Sequence, residues 1–144
     1  MQSRFKFRVW NTQTQTMHYN DFCVTATGYV APLQTQDHKI MSFNQYDLKP
    51  DENNILMQCT GMIDKQKRYI YEGDILKETY TSEGETHTDI TVVKYNKSSA
   101  GFIMARPGLE KDVTWFDEIN LDKEDFIIIG NIYETPEKLE EKEE

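Results

Sequence analysis

Residues 55–77 read ILMQCTGMIDKQKRYIYEGDILK, and their reading decides the fold. Ile55–Gly61 is rich in apolar residues, Asp64–Lys67 is turn-forming, and Arg68–Tyr71 and Glu72–Lys77 resume the β-branched and aromatic bias. Turn residues at such short intervals leave no room for a helix of three turns, so the stretch predicts three successive strands. Gly73, between Glu72 and Asp74, is expected in a tight turn that needs a positive φ.

Further strands are expected downstream at His87–Tyr95, Gly101–Arg106, Val113–Phe116 and Phe126–Tyr133. Upstream, Phe5, Phe7 and Val9 alternate with Arg4, Lys6, Arg8 and Trp10, the period of a half-buried strand. Met17-His18-Tyr19 can return beside it as a hairpin. Short strands at this spacing argue for a mainly β domain, a small barrel or sandwich. Between Asp21 and Asn54 the signal weakens, and only Lys39–Phe43 reads as a strand. A loop-rich insertion is expected over 21–54, a kind of segment that often carries a binding surface. At the end, Thr135 can cap a helix with Pro136 at its first position and Glu137 near its positive pole. The expected organisation is one mainly β domain over 1–134, followed by an acidic helix or tail over 135–144.

The chain has 144 residues and a formal net charge of −9. That balance disfavours binding to a phosphate backbone, which depends on Lys and Arg displacing counterions. The charge is uneven, however. Residues 134–144 hold six acids and two bases, while the first ten residues hold Arg4, Lys6, Arg8 and no acid. Cys23 and Cys59 follow no leader-like segment and have no metal-ligand spacing, so free thiols in a reducing cytosol are expected, with one disulfide as the alternative. No apolar run reaches the roughly 18 residues that a membrane helix needs, so no membrane association is expected.

A search for chemistry returns little. His18, His38 and His87 lack a second ligand at metal spacing, and no nucleophile elbow, Walker loop or dinucleotide fingerprint occurs. No metal site, catalytic residue or cofactor is therefore expected. Glu72 and Asp74 are the carboxylates that stand out, but an acid beside a glycine turn ordinarily holds nearby backbone N–H groups. A carboxylate enzyme built on Glu72, Asp74 and Asp117 or Glu118 is the minor alternative. Arg4, Lys6, Arg8, Trp10 and Tyr19 form the candidate binding surface, because aromatics beside cations suit the stacking of single-stranded bases. The plainer reading of these aromatics is cross-strand packing. By alternation Trp10 belongs to the basic face, which would make it a subunit contact or a ligand platform.

Several segments together resemble the YopX family: Lys6–Trp10 with Met17-x-Tyr19, Met57–Gly61, Ile70-Tyr71-Glu72-Gly73-Asp74-Ile75, Val93-x-Tyr95, and Ile129-Gly130-Asn131-Ile132-Tyr133-Glu134. The resemblance implies a small SH3-like β-roll and a protein encoded by phages or prophages and acting in the bacterial cytoplasm. Gly61, Tyr71, Glu72, Gly73 and Asp74 carry the family pattern and are expected to be structural. One departure is visible, since the hairpin after Thr60-Gly61 has Gln66-Lys67 where such proteins usually carry a glycine, which predicts a wider turn. The resemblance implies no established activity. The functional expectation is a non-enzymatic accessory protein that self-associates and binds a phage or host protein. A nucleic-acid-binding β-barrel using the basic first strand is the alternative, and a variant has the acidic tail mimicking nucleic acid.

Overall fold

The computed structural model describes residues 5–25, 28–32, 35–36, 39–40, 52–108, 113–115 and 126–140. The chain divides into two compact units, one formed by Phe7–Met57 and the other by Met1–Lys6 with Gln58–Glu144.

In the first unit, β1 (Phe7–Asn11) pairs antiparallel with β2 (Thr16–His18), Val9 opposite His18 and Asn11 opposite Thr16. The polar run between them turns because Asn11 Oδ1 accepts the N–H groups of Gln13 and Thr14, at 3.0 and 2.9 Å. On its other side β1 is flanked by the start of β7 (Asn54–Ile63), where Asn11 Nδ2 donates to Asn54 Oδ1 at 2.9 Å and the Thr12 N–H to Asn53 O at 2.8 Å. An interior strand has both edges filled and, here, both faces covered: Arg8, Val9 and Trp10 are all buried in succession. The stretch expected to be loops contains two short hairpins, β3 (Phe22–Val24) with β4 (Val30–Pro32), and β5 (Thr35–Gln36) with β6 (Lys39–Ile40). The rest of the strand expected at Lys39–Phe43 lies outside the described residues.

In the second unit, β7 continues from Gln58 and pairs with β8 (Tyr69–Tyr71). Their register slips by two between Cys59 opposite Tyr71 and Ile63 opposite Tyr69. Thr60-Gly61 occupies this bulge: Gly61 takes a φ of 90°, and the Thr60 hydroxyl donates to Ile70 O and accepts the Met62 N–H. A five-stranded antiparallel sheet follows, in the order β12-β11-β10-β9-β13: β9 is Asp74–Ser82, β10 Glu85–Asn96, β11 Gly101–Ala105, β12 Val113–Trp115 and β13 Ile127–Asn131. Ile70, Leu76, Val93, Met104 and Phe126 form its hydrophobic cluster, with Met62, Phe102 and Ile128 packed against it. Ile75 and Val92, which point the opposite way, are buried as well, so the middle of this sheet is dry on both faces.

Strands β9 and β10 outrun the sheet. Among the described residues, pairing with β13 stops at Lys77 and pairing with β11 stops at Val92, while β9 and β10 stay paired to Ser82 opposite Glu85. The two-residue turn Glu83-Gly84 has φ values of 54° and 86°, the type I′ geometry that matches strand twist. Residues 79–86 are all exposed, so the hairpin ends in a projecting two-stranded arm.

The mainly β reading holds, and Gly73 takes its expected positive φ of 83°. The C-terminal helix is a 3-10 helix over Pro136–Glu140 rather than α-helical. Thr135 starts it differently from a simple cap: its Oγ1 accepts the Asn131 N–H at 3.1 Å, tying the helix back to β13. A Cβ on Gly130 would stand 1.9 Å from that same Oγ1. Gly130→Ala is therefore expected to lower stability by about 1–3 kcal/mol through overpacking, read as a fall in the urea midpoint, and Thr135→Ala in the same chain is expected to recover part of the loss.

Candidate functional site

The turn between β7 and β8 is organised by one carboxylate. Asp64 Oδ1 accepts the N–H groups of Gln66 and Arg68, both at 2.9 Å. Its Oδ2 accepts Arg68 Nε at 2.9 Å, Arg68 Nη2 at 2.6 Å and the Ile128 N–H at 3.2 Å. The same guanidinium donates onward to Ile128 O at 2.7 Å, and the Lys65 N–H donates to Phe126 O at 3.0 Å. The Asp64 side chain has no solvent exposure, whereas that of Arg68 is 45% exposed. Burial by itself pushes the Asp64 carboxyl upward, but the Arg68 side-chain and backbone hydrogen bonds, the Ile128 N–H and the Arg68 charge outweigh it and hold the group below 3.8. With the carboxylate occupying the turn from inside, Lys67 takes the left-handed φ of 64° that a glycine would otherwise supply.

The other acidic and amide groups of the motifs act in the same way. Asp74, 1% exposed, accepts the Tyr71 N–H at 2.8 Å across the Glu72-Gly73 turn. The Glu72 N–H donates to Gln58 O, the Gly73 N–H to Val93 O, and Gly73 O accepts the Ile132 N–H. Asn131 Oδ1 accepts the N–H groups of Tyr133 and Glu134, while its Nδ2 donates to Glu134 Oε2 at 2.7 Å.

What the second unit offers to solvent is different. Ile63 and Tyr69, directly opposite on β7 and β8, are 40% and 39% exposed. Lys6 Nζ lies 3.9 Å from the Tyr69 ring centroid, a cation–π contact. Residues 65–69 are all exposed and carry Lys65, Lys67 and Arg68, so a basic, aromatic surface sits on the Asp64 turn. On the projecting arm, Tyr80 stacks on His87 with centroids 5.4 Å apart, and Asp89 pairs with Arg106 at its base.

Lys6 belongs to the basic turn just described, whereas Arg8, Trp10 and Tyr19 belong to the first unit. Trp10 is 8% exposed and Arg8 4%, so neither is an open platform. Alternation distinguishes two faces of β1 but does not reveal that an interior strand has both of them covered. Tyr19 is half-exposed, and nearby His18 Nδ1 is 2.7 Å from Asp21 Oδ2. Arg4, His38, Asp117 and Glu118 lie outside the described residues. Cys23 and Cys59 are free thiols. Among the described residues, no three His, Cys, Asp or Glu side chains come together as a metal site, and no helix is long and apolar enough to cross a membrane.

A family model described as YopX protein matches residues 6–140. The chain belongs to the YopX family. Two solved structures share its fold: protein yopX from Bacillus subtilis, with a TM-score of 0.61, 21% identity, and coverage of 93% of this chain and 97% of that one, and protein EF1440 from Enterococcus faecalis, with a TM-score of 0.59, 23% identity, and coverage of 93% and 96%. No curated protein shows a significant match to the sequence. In this YopX-family chain the I-Y-E-G-D and G-N-I-Y-E segments are turns closed by side chain to backbone hydrogen bonds. The basic turn surface was missed in the sequence because Lys6 and Tyr69 lie 63 positions apart, and only the β-pairing brings them together.

Replacing Asp64 tests the turn. Asp64→Ala leaves three backbone N–H groups and a guanidinium without their acceptor, at an expected cost of about 3 kcal/mol, whereas Asp64→Asn is expected to cost less. Because the folded carboxyl titrates below the unfolded one, its contribution is full above the unfolded value and is lost as pH falls through the folded value. Urea midpoints measured from pH 5 down to pH 3 should therefore fall more steeply for the wild type than for Asp64→Asn, with the difference opening below about pH 4.

Proposed function

We propose that this YopX-family protein is a non-enzymatic accessory protein of phage or prophage origin, working in the bacterial cytoplasm as a protein-binding module that associates with itself. The observation that carries this reading is the exposed Ile63–Tyr69 pair on ordered strands, flanked by Lys6, Lys65 and Lys67. Aromatic side chains with an apolar body and a polar tip are enriched where proteins meet, and placing them on paired strands limits the conformational entropy lost on docking. The internal polar groups support the same view: the buried carboxylates Asp64 and Asp74 are engaged by backbone N–H groups of their own turns.

A second reading has one specific observation in its favour, the Lys6 ammonium seated on Tyr69 beside the Lys65–Arg68 turn. A cation and an aromatic face in contact also suit single-stranded nucleic acid. The overall charge of −9 opposes it. The two readings separate by measurement. Sedimentation velocity over a hundredfold range of concentration is expected to show a rise from the 17.0 kDa chain to a larger species. Labelled single-stranded DNA and RNA are expected to show no anisotropy change at low salt, where any phosphate contact would be strongest. A monomer at all concentrations together with salt-sensitive oligonucleotide binding would reverse the assignment.

A further inference from the structure

We infer that two copies of this chain dock across a twofold axis, the basic turn Lys65–Arg68 of each seated on the acidic arm Glu78–Asp89 of the other. The inference rests on the self-association proposed above and names the surface that would carry it.

The charges are segregated along the sequence. Between residues 78 and 89 the arm has Glu78, Glu83, Glu85 and Asp89 and no Lys or Arg, while residues 65–71 hold Lys65, Lys67 and Arg68 and no acid. Asp89 is paired with Arg106 and Arg68 with Asp64, so the contact falls to Glu83 and Glu85 at the tip and to Lys65 and Lys67 on the turn. Both features flank the start of β13. The Lys65 N–H and the Arg68 guanidinium reach Phe126 O and Ile128 O on one side of it, and Ile127 pairs with Lys77 on the other, where the arm leaves the sheet. At about 4.8 Å per strand spacing, the basic turn is only roughly 10 Å from the base of the arm.

The tip is another matter. Glu83 lies six positions beyond Lys77, so the arm carries Glu83 and Glu85 about 20 Å outward at ~3.3 Å per residue. That exceeds the screening length of about 8–10 Å in physiological salt, and the turn of the same chain cannot neutralise them. A second copy can. An isologous interface needs one surface to carry both halves of the match, and a positive turn beside a negative arm meets that condition. Turning one copy by 180° sets each arm tip over the other copy's turn and makes the charge contact twice. Apolar groups accompany both halves, Ile63 and Tyr69 beside the turn and the Tyr80–His87 stack on the arm.

The test is charge exchange in the full chain, followed by sedimentation velocity at 50 mM salt. The wild type is expected to reach about 34 kDa, twice 17.0 kDa. Lys65→Glu with Lys67→Glu, and separately Glu83→Lys with Glu85→Lys, are each expected to weaken dimerisation at least tenfold. Mixing these two variants, or combining all four changes in one chain, is expected to restore it. Circular dichroism checks that each variant is folded, and if the lysine pair is not, Lys67→Glu mixed with Glu83→Lys makes the same comparison. A wild type that dimerises while the reversals change nothing, or reversals that no partner restores, would overturn this interface and leave self-association standing. A wild type that stays at 17.0 kDa at every concentration removes both.

Discussion

A buried carboxylate holds the second unit together. Asp64 joins two segments distant in sequence: its own turn, including the guanidinium of Arg68, and β13 through the Ile128 N–H. Removing an ionised acid from water is unfavourable unless its lone pairs are taken up, and here five donors take them up. The consequences spread outward. The turn closes without a glycine, Arg68 is fixed with its outer part in solvent, and the strand pairing that sets Tyr69 opposite Ile63 inherits the register this turn imposes.

Much of the strand pattern was legible in the residues. Turn-forming clusters separated β-branched and aromatic runs, so the strands from β7 onward and the hairpin of β1 and β2 could be located. Two features escaped for stated reasons. The part of the arm between the expected strands, Glu78–Thr86, carries Tyr80 as its one large apolar residue, and a strand with no buried face gives no alternating signal. The hairpin β3–β4 and the strand β5 escaped because strands of two or three residues are too short to show a period, whereas β6 falls within the strand expected at Lys39–Phe43.

The site was less legible than the fold. Lys6 was singled out for its charge, yet its partner Tyr69 is set by tertiary pairing that a linear pattern does not contain. Trp10, expected on the basic face as a subunit contact or a ligand platform, is buried instead, because binary alternation tells the two faces of β1 apart without telling how many are covered. Asp64 passed as an ordinary turn residue. Its signal was present in the missing glycine: a tight turn that places lysine at a left-handed position implies some compensating contact, and a carboxylate three residues earlier is the group best placed to make it.

That the shared motifs close turns has a consequence for comparing relatives. Thr60-Gly61, Gly73-Asp74 and Gly130-Asn131 steer the path of the main chain, so a protein that retains them retains the scaffold and nothing more. The exposed side chains at the arm tip and on the lysine-bearing turn lie outside that fingerprint. Two members with the same fingerprint are therefore free to serve different ends, and a role learned for one transfers to another only when those outer positions agree.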